Sequence, residues 1–212
     1  MPSLSNVTTR QAGVIIALSV MGVVCYLAAS FDTFPGDMDG LKMFQALRTP
    51  WLDSAALAAS FPANTLVAVT STPAISLALW FGKRRADAVA VLLVLIPDGI
   101  NALLKLLVDR PRPDLSILIS PPHNPSFPSG HSVHAFLLFG LLIIIVGEIV
   151  KPFWLRTTIQ ALLVAVILAC GASRVYLGVH WPSDVLGGFL MGGLSIVAIL
   201  WVRKTLVNRG LK

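Results

Sequence analysis

Charged residues are scarce in this sequence. Asp, Glu, Lys and Arg together make up 12% of the 212 residues, about half of their usual share in a soluble domain. Hydrophobic residues make up 56% of the chain, and its mean hydropathy is +0.82. Because so few polar side chains are present to cover a core, the composition excludes an ordinary soluble domain and predicts an integral membrane protein.

Cysteine is scarce as well. Cys25 and Cys170 both lie in or beside apolar segments, and the pair indicates neither a disulfide framework nor the ligand spacing of a metal site. The net charge of +6 would be a weak indication of nucleic-acid binding in a soluble chain. In a membrane protein it is interpreted by position, because Lys and Arg collect in cytoplasmic loops, and we expect no nucleic-acid partner.

Long apolar segments are what the sequence has in abundance. A transmembrane helix needs about 20 apolar residues, and the sequence predicts six such spans in one all-α, membrane-embedded domain covering residues 1–212. The spans are residues 13–30, 64–81, 86–107, 131–150, 157–172 and 185–202. A cleaved signal peptide is the alternative for the first span, since Ala28-Ala29-Ser30 resembles a cleavage site, but the single cation Arg10 and the length of the apolar run favour a retained helix.

The connections between the spans differ in character. Residues 31–62 are mixed in polarity, and residues 41–47 within them suit a short helix on the membrane surface. Pro97 and Asp98 interrupt the outer half of the third span, where a broken helix would need its free backbone groups satisfied inside the protein or by water. Residues 108–130 are rich in proline and too polar to cross a membrane.

Positive charges are divided unevenly between the two ends of the predicted bundle. Six spans place both termini on one side of the membrane, and ten of the sixteen Lys and Arg residues fall on that side, which makes it the cytoplasm. Seven of the ten acids fall on the other side. The connections 108–130 and 173–184 both lie on this non-cytoplasmic side, so we expect their polar side chains to meet at one membrane depth.

The connection from Ser173 to Asp184 combines a cation, an imidazole and a carboxylate. A helix that begins near Pro182 would bring the carboxylate of Asp184 back toward the ring of His180. A carboxylate on one ring nitrogen fixes the tautomer and leaves the other nitrogen free to act as base, nucleophile or ligand. Taken alone, the segment could also be a solvated loop with a helix-capping Asp.

The cations on this side indicate an anionic ligand. Charges are costly near the hydrocarbon, yet Lys105, Arg112 and Arg174 all lie at this depth. The guanidinium of Arg174 is a planar fork of donors that suits an oxyanion, phosphate above all. Phosphoryl transfer needs several fixed cations, a nucleophile and an acid, so the set fits that chemistry.

The start of the fourth span adds two further features. The backbone N–H groups of Ser129 and Gly130 would form an anion site at a helix N-terminus. His180 would attack phosphorus, and His131 would protonate the departing oxygen, since two imidazoles with different neighbours suit opposite protonation roles at one pH.

Three motifs, in this order along the chain, resemble the signature of the type 2 phosphatidic acid phosphatase (PAP2) superfamily. The first runs from Lys105 to Pro113, the second is Pro128-Ser129-Gly130-His131, and the third joins Ser173-Arg174 to His180 and Asp184. This family includes membrane lipid phosphatases, bacterial acid phosphatases and vanadium haloperoxidases. The resemblance implies a PAP2/haloperoxidase-like helical core.

The resemblance also implies residue roles, and these agree with the physical argument. His180 would be the nucleophile that forms a phosphohistidine, Asp184 its orienting partner and His131 the general acid. The phosphate would be held by Lys105, Arg112, Ser129, Gly130 and Arg174. The phosphatases of this family need no metal, so no cofactor is expected, and the sequence has no plausible carboxylate or cysteine cluster to bind a metal.

Residues beside the motifs are candidates for supporting roles. They are Asp98, Pro113, Pro128, His134 and Ser173. Asp98 is an acid within a predicted span, and we favour pairing with a buried polar group over a role in the site. For His134 we favour a packed, hydrogen-bonded imidazole over a supporting role in the site.

Three further features of the polar connections have simpler interpretations. Arg110 is expected to form ion pairs within its own loop. Tyr176 and Trp181 are expected to be interfacial anchors.

The expected function is that of a phosphatase that removes a terminal phosphate from a lipid phosphate or pyrophosphate in the outer leaflet. By analogy, the compact chain favours a polyprenyl pyrophosphate or phosphatidylglycerol phosphate substrate, in the bacterial inner membrane, with the site facing the periplasm or exterior. The alternatives are a lipid phosphotransferase with the same intermediate, a lipid A phosphatase and, least favoured, a non-enzymatic transporter of anionic lipid.

Overall fold

The structure, a computed structural model, describes residues 4–115, 118–120 and 123–211, and all regular secondary structure in these ranges is helical. The helices are α1 (Leu4–Ser30), α2 (Asp37–Ala46), α3 (Pro50–Ser60), α4 (Thr65–Phe81), α5 (Arg85–Leu92), α6 (Leu95–Val108), α7 (Gly130–Ile149), α8 (Phe153–Tyr176) and α9 (Pro182–Asn208), with a 3-10 turn at Phe61–Ala63. The prediction of an all-α fold is confirmed for these ranges.

Several of these helices are long and apolar enough to cross a membrane. Within the described residues there are four such segments, namely α5 with α6, α7, α8 and α9, and a fifth if α3 and α4, which meet at a bend of 50°, count as one span. Helix α1 contributes a shorter apolar helix, Ile15–Ser30. The chain is therefore an integral membrane protein.

Helix α3 lies within residues 31–62, the connection of mixed polarity between the first two predicted spans. Its start follows local rules, because the Thr49 side chain accepts a hydrogen bond from the N–H of Leu52 and Pro50 occupies the first helical position. The 3-10 turn and the Asn64 cap of α4 then produce the bend. The short helix expected over residues 41–47 is present as α2.

The third span is interrupted, but at a different point from the one expected. The break between α5 and α6 lies at Leu93–Val94, so Pro97 falls in the first turn of α6. A proline is tolerated there, because the N–H that it lacks has no partner within the helix anyway. Asp98 remains helical, and its N–H donates to the carbonyl of Val94 at 3.4 Å.

Helix α7 forms the centre of the bundle and packs against both α8 and α9. Its buried Val133, Leu137 and Leu141 are spaced by four residues and so lie on one face. They pack in one cluster with Val94, from the break in the third span, and with Met191 of α9. The core therefore fixes the start of α7 relative to the start of α9.

Two glycines of α9 allow the connection before α7 to approach very closely. A Cβ on Gly188 would lie 2.8 Å from the carbonyl oxygen of Ser129, and a Cβ on Gly187 would lie 2.4 Å from the Phe127 ring. The N–H of Ser129 also donates to the carbonyl of Asp184 at 3.0 Å. The second and third motifs are thereby held side by side.

We expect Gly188→Ala to lower the free energy of unfolding by about 1–3 kcal/mol, the usual cost of overpacking, because the facing atom belongs to the backbone and cannot rotate away. The control is Gly193→Ala on the same helix, where the nearest atoms to an added Cβ lie 3.7 and 4.0 Å away. Thermal unfolding of the purified variants in detergent tests this, and equal midpoints would contradict it.

Candidate active site

The three motifs converge at one end of the bundle. This end holds the last turns of α6 and α8 and the first turns of α7 and α9. Direct contacts join the motifs: Arg112 contacts His180, and Ser129 contacts Asp184. The structure therefore brings the sequence-predicted residues Lys105, Arg112, Ser129, Gly130, His131, Arg174, His180 and Asp184 to the same side.

His180 and Asp184 form a buried imidazole–carboxylate pair. Nδ1 of His180 lies 3.2 Å from Oδ2 of Asp184, which also accepts the backbone N–H of Trp181 at 2.9 Å. Helix α9 begins at Pro182, as predicted, and this places the carboxylate one turn after the ring. With Nδ1–H donated to the carboxylate, Nε2 carries the lone pair and faces Arg112 Nη1 at 3.2 Å.

Backbone carbonyls hold two of the cations. The Lys105 ammonium donates to the carbonyls of Pro125 and Ser126, both at 2.8 Å. The Arg112 guanidinium donates to the carbonyl of Val179 at 2.6 Å and to the carbonyl and side chain of Asn124. Neutral acceptors fix the positions of these side chains and leave their positive charge uncancelled.

Arg174 is held in a different way. Its Nη1 donates to the hydroxyl of Ser60, which lies at the bend between α3 and α4, while its Nε is buried and has no hydrogen-bond partner among the residues that the structure describes. Within the described ranges, Lys105, Arg112 and Arg174 form no ion pair with a carboxylate. The site is thus an enclosed positive region suited to an anion.

The positive charges act directly on His180. Burial is the main reason that the pKa of His180 lies well below its ordinary value of 6.5, and the charges of Lys105, Arg112 and Arg174 lower it further. Burial also lowers the pKa of Arg112. His180 is therefore a neutral imidazole, with a lone pair available for bond formation.

The N-terminus of α7 differs from the expectation in one respect. Ser129 is the N-cap, and its Oγ accepts from the N–H and the hydroxyl of Ser132. Its own N–H is occupied by the carbonyl of Asp184, so the prediction that this N–H would bind phosphate is wrong. The free donors of the first turn are the N–H groups of Gly130 and His131, which have no acceptor in the part of the chain that the structure describes.

His131 is the second imidazole at this end. His131 is partly exposed, and the permanent charges that act on it are those of Arg174 and Arg112. The two imidazoles of the site are thus on the same side of the bundle, with one paired to a carboxylate and the other among cations.

Arg110 is the main functional residue that sequence reasoning missed. The expectation that it pairs within its own loop is wrong, because the side chain is fully buried and donates to Asp184 Oδ1 at 2.7 Å and to Asp37 Oδ2 at 2.8 Å. Its guanidinium also lies 4.5 Å from the centre of the Phe34 ring. Its partners lie more than 70 residues away along the chain, so no local sequence pattern predicts them.

Asp37 completes this network. Its carboxylate accepts the backbone N–H and the hydroxyl of Ser183, at 2.9 and 2.7 Å, in the first turn of α9. It also accepts the N–H of Phe34 at 2.8 Å. Asp37 therefore caps the helix that carries Asp184, and it places the start of α2 against the site.

The candidate supporting residues have varied environments. His134 Nδ1 pairs with Asp98 Oδ2 at 2.7 Å across α6 and α7, so Asp98 has a buried polar partner, as expected. His134 Nε2 is buried and has no hydrogen-bond partner in the described part of the chain. The Ser173 hydroxyl donates within its own helix, to the carbonyl of Cys170. Pro128 follows Phe127 through a cis peptide bond. Pro113 and Arg112 both line a cavity of about 780 Å³ that is formed by the connection between α6 and α7.

Tyr176 and Trp181 are not the interfacial anchors that the sequence suggested. Both side chains are buried in the protein. The Tyr176 hydroxyl bonds to Asp53 at 2.6 Å, and the Trp181 indole N–H donates to the carbonyl of Pro111 at 3.0 Å. They tie α3 and the first motif to the connection before α9.

Comparisons with known proteins identify a family and several similar proteins. The model of the PAP2 superfamily matches residues 86–208. Phosphatidylglycerophosphatase B of Bacillus subtilis (strain 168) is 33% identical over 151 residues, which are 69% of this chain and 72% of that protein. Undecaprenyl-diphosphatase of Sulfolobus acidocaldarius is 38% identical over 77 residues, covering 34% of this chain and 30% of that protein. The crystal structure of a transmembrane PAP2 type phosphatidylglycerolphosphate phosphatase from Bacillus subtilis aligns with a TM-score of 0.75 at 27% identity, covering 90% of this chain and 96% of that one.

We expect Arg110→Met to lower the free energy of unfolding by about 3–5 kcal/mol, because it leaves two buried carboxylates without their cation. The control is Arg48→Met, which removes an exposed guanidinium from Asp53 and should cost less than about 1 kcal/mol. Thermal unfolding in detergent compares the two, and a loss no greater for Arg110→Met than for Arg48→Met would contradict a structural role for Arg110.

Proposed function

The chain belongs to the PAP2 superfamily, and from that premise we propose that it is a metal-independent phosphatase that removes the terminal phosphate from a membrane lipid phosphate or pyrophosphate. The observation that carries the proposal is a set of three cations around the lone pair of a neutral, carboxylate-oriented His180. None of these cations pairs with a carboxylate of the described residues. This arrangement suits a phosphoryl group and provides a nucleophile for it.

In the first step, Nε2 of His180 forms a bond to phosphorus while the bond from phosphorus to the lipid oxygen breaks. His131 gives its proton to the departing oxygen and becomes neutral. Asp184 holds Nδ1–H and stabilises the positive charge that develops on the ring, and Arg110 fixes that carboxylate. The products of this step are a phosphohistidine and the released lipid.

In the second step, water attacks the phosphohistidine. His131, now neutral, takes the proton of the water, the bond from nitrogen to phosphorus breaks, and inorganic phosphate leaves. Lys105, Arg112, Arg174 and the N–H of Gly130 neutralise the charge on the phosphoryl oxygens in both steps. The Ser129 hydroxyl can donate to the same oxygens, although its N–H cannot.

Arg112 must move when substrate binds. Its Nη1 lies 3.2 Å from Nε2 of His180, where the phosphorus has to arrive. An anionic phosphoryl group competes for this guanidinium, so the substrate itself draws Arg112 away and exposes the nucleophile.

The membrane arrangement that accompanies this function has six spans with both termini in the cytoplasm, in a single domain of residues 1–212. In addition to the four long apolar segments, α1 would be the first span along the chain, and the bent pair of α3 and α4 would be the second. The charge distribution supports the site facing outward, because Lys and Arg are concentrated at the opposite end. Relatives from Bacillus subtilis support placement in a bacterial cytoplasmic membrane.

The favoured substrates are phosphatidylglycerol phosphate and a polyprenyl pyrophosphate. The names of the relatives, phosphatidylglycerophosphatase B and undecaprenyl-diphosphatase, support these two classes. In both, the phosphate to be removed is terminal, so it can enter the cation cluster while the acyl or prenyl tail stays in the lipid.

We expect His180→Ala to reduce phosphate release by at least about 1,000-fold, since the nucleophile is lost, while a chelator leaves the rate of the unsubstituted protein unchanged. His123→Ala is the control, because it removes an imidazole from the outer loop only. The assay is phosphate release by the purified protein from phosphatidate, phosphatidylglycerol phosphate, polyprenyl pyrophosphate and lipid A.

Three outcomes would contradict the proposal. Activity that depends on an added metal would exclude the mechanism. A newly phosphorylated acceptor in place of free phosphate would indicate a phosphotransferase. Full function in His180→Asn would indicate binding or transport without turnover.

The neutral state of His180 predicts the pH dependence of the first step. Attack needs the unprotonated ring, and burial with the neighbouring cations keeps the pKa of His180 well below 6.5, so the acid limb of phosphoenzyme formation should lie below pH 6.5. Lys105→Met removes one of these cations and should move the limb upward. The test is the rate of phosphoenzyme formation, measured by rapid quench at different pH values and corrected for ionisation of the substrate. If the rate for the unsubstituted protein already falls to half at or above pH 6.5, the prediction is contradicted.

A further inference from the structure

A second polar centre lies at the end of the bundle opposite the candidate active site. It surrounds a cavity of about 650 Å³ between the first turn of α5 and the last turns of α7 and α9. Glu148 at this centre is 18 residues from Gly130 on the same helix, which corresponds to about 27 Å at 1.5 Å per residue. That separation is close to the thickness of a hydrocarbon core, about 30 Å, so this cavity lies at the other membrane interface.

Two guanidinium groups and two carboxylates form a closed ring in this cavity. The Nε atoms of Arg84 and Arg203 donate to the two oxygens of Asp87. Their Nη2 atoms both donate to Oε2 of Glu148, each at 2.6 Å. The ring has no net charge, and each carboxylate is shared by two cations, so both guanidinium groups are fixed in orientation.

The ring leaves donors free. Each guanidinium uses its Nε and Nη2 for the carboxylates, and the Nη1 of Arg84 and of Arg203 has no acceptor in the described ranges. Lys83 and Lys204 also line the cavity, are exposed, and form no ion pair with any described residue. The cavity therefore has a net charge of +2 and four basic groups with free N–H donors.

The rest of the wall is apolar. Ile144 of α7 and Leu200 and Val207 of α9 line the same cavity. Val207 is 40% exposed. A ligand that fits both parts of this wall has an anionic phosphate group and a hydrocarbon chain.

We propose that this cavity binds the phosphate of an anionic phospholipid in the leaflet opposite the candidate active site, with one acyl chain along the apolar wall. Basic pockets between transmembrane helices are a general mode of recognition for anionic lipid head groups. The uncompensated charge of two lysines disfavours zwitterionic lipids, whose head groups carry a cation of their own. The apolar wall and its depth at the interface favour a lipid over free phosphate. The site is separate from the reaction at the other end and does not rest on it.

The test is lipid binding to the purified full-length protein, measured by native mass spectrometry and by thermal unfolding in a neutral detergent. The probes are phosphatidylglycerol, phosphatidylcholine with the same acyl chains, and inorganic phosphate. The test variant is Lys83→Gln/Lys204→Gln. The matched control is Lys151→Gln/Arg209→Gln, which removes two positive charges near the same end of the bundle from residues that do not line the cavity.

We expect phosphatidylglycerol to bind and stabilise the unsubstituted protein and the control variant, and its apparent affinity to fall about 10- to 30-fold in Lys83→Gln/Lys204→Gln. Unchanged affinity in that variant would place the bound lipid elsewhere, including the candidate active site, and would overturn the proposal. An equal loss in both double variants would indicate non-specific surface charge, and equal stabilisation by phosphatidylcholine or by inorganic phosphate would exclude an anionic-lipid site.

The variant should remain folded, because both lysines are exposed and the ring of Arg84, Asp87, Glu148 and Arg203 is intact. Its unfolding midpoint without added lipid, and its turnover of a soluble short-chain substrate, should equal those of the control. A fall in affinity that is accompanied by an equal fall in unliganded stability would mean that the lysines support the fold, and would also overturn the proposal.

Discussion

The organisation of the end of the bundle that holds the candidate active site depends on the buried pairing of Arg110 with Asp184 and Asp37. Asp184 has to remain a carboxylate in a site from which water is largely excluded, and a buried charge is tolerated only when it is paired and hydrogen-bonded. Arg110 occupies one of its oxygens, while His180 and the Trp181 N–H occupy the other. The orientation of the imidazole is thus fixed by a chain of contacts that begins at α2.

The two ends of the bundle use similar basic residues in opposite ways. At the end that holds the candidate active site, Lys105 and Arg112 are held by neutral carbonyl oxygens, so their charge stays available to an anion. At the opposite end, Arg84 and Arg203 are held by Asp87 and Glu148, and their charge is cancelled. A count of Lys and Arg along the chain cannot distinguish these cases, because the difference lies in the acceptors.

The sequence predicted much of the helical framework and the composition of the site, for reasons that can be stated residue by residue. The apolar run that becomes α7 is bounded by Ser129, a good N-cap, and its observed limits, 130–149, differ from the predicted 131–150 by one residue at each end. Pro182 marked the start of α9 because its ring suits the first helical position. These features are encoded locally, so local reasoning finds them.

Features that depend on distant partners were not predictable in the same way. Arg110 and Arg112 are both followed by proline, and only the fold shows that one faces Asp184 and the other faces His180. The N–H of Ser129 seemed free because its acceptor, the Asp184 carbonyl, lies 55 residues further along the chain. Helix α3 was missed because its mixed composition, with Asp53 near its start, obscured the apolar face.

The family is recognised over residues 86–208, yet two of the contacts that position its motif residues come from before that region. Asp37 caps the helix of Asp184, and Ser60 accepts a hydrogen bond from Arg174. The first third of the chain thus acts as a scaffold for a signature that it does not contain. The part of the chain needed to assemble this site is therefore larger than the segment that identifies the family. Residues 86–208 alone would contain the reacting side chains but would lack Asp37 and Ser60, which help to position them.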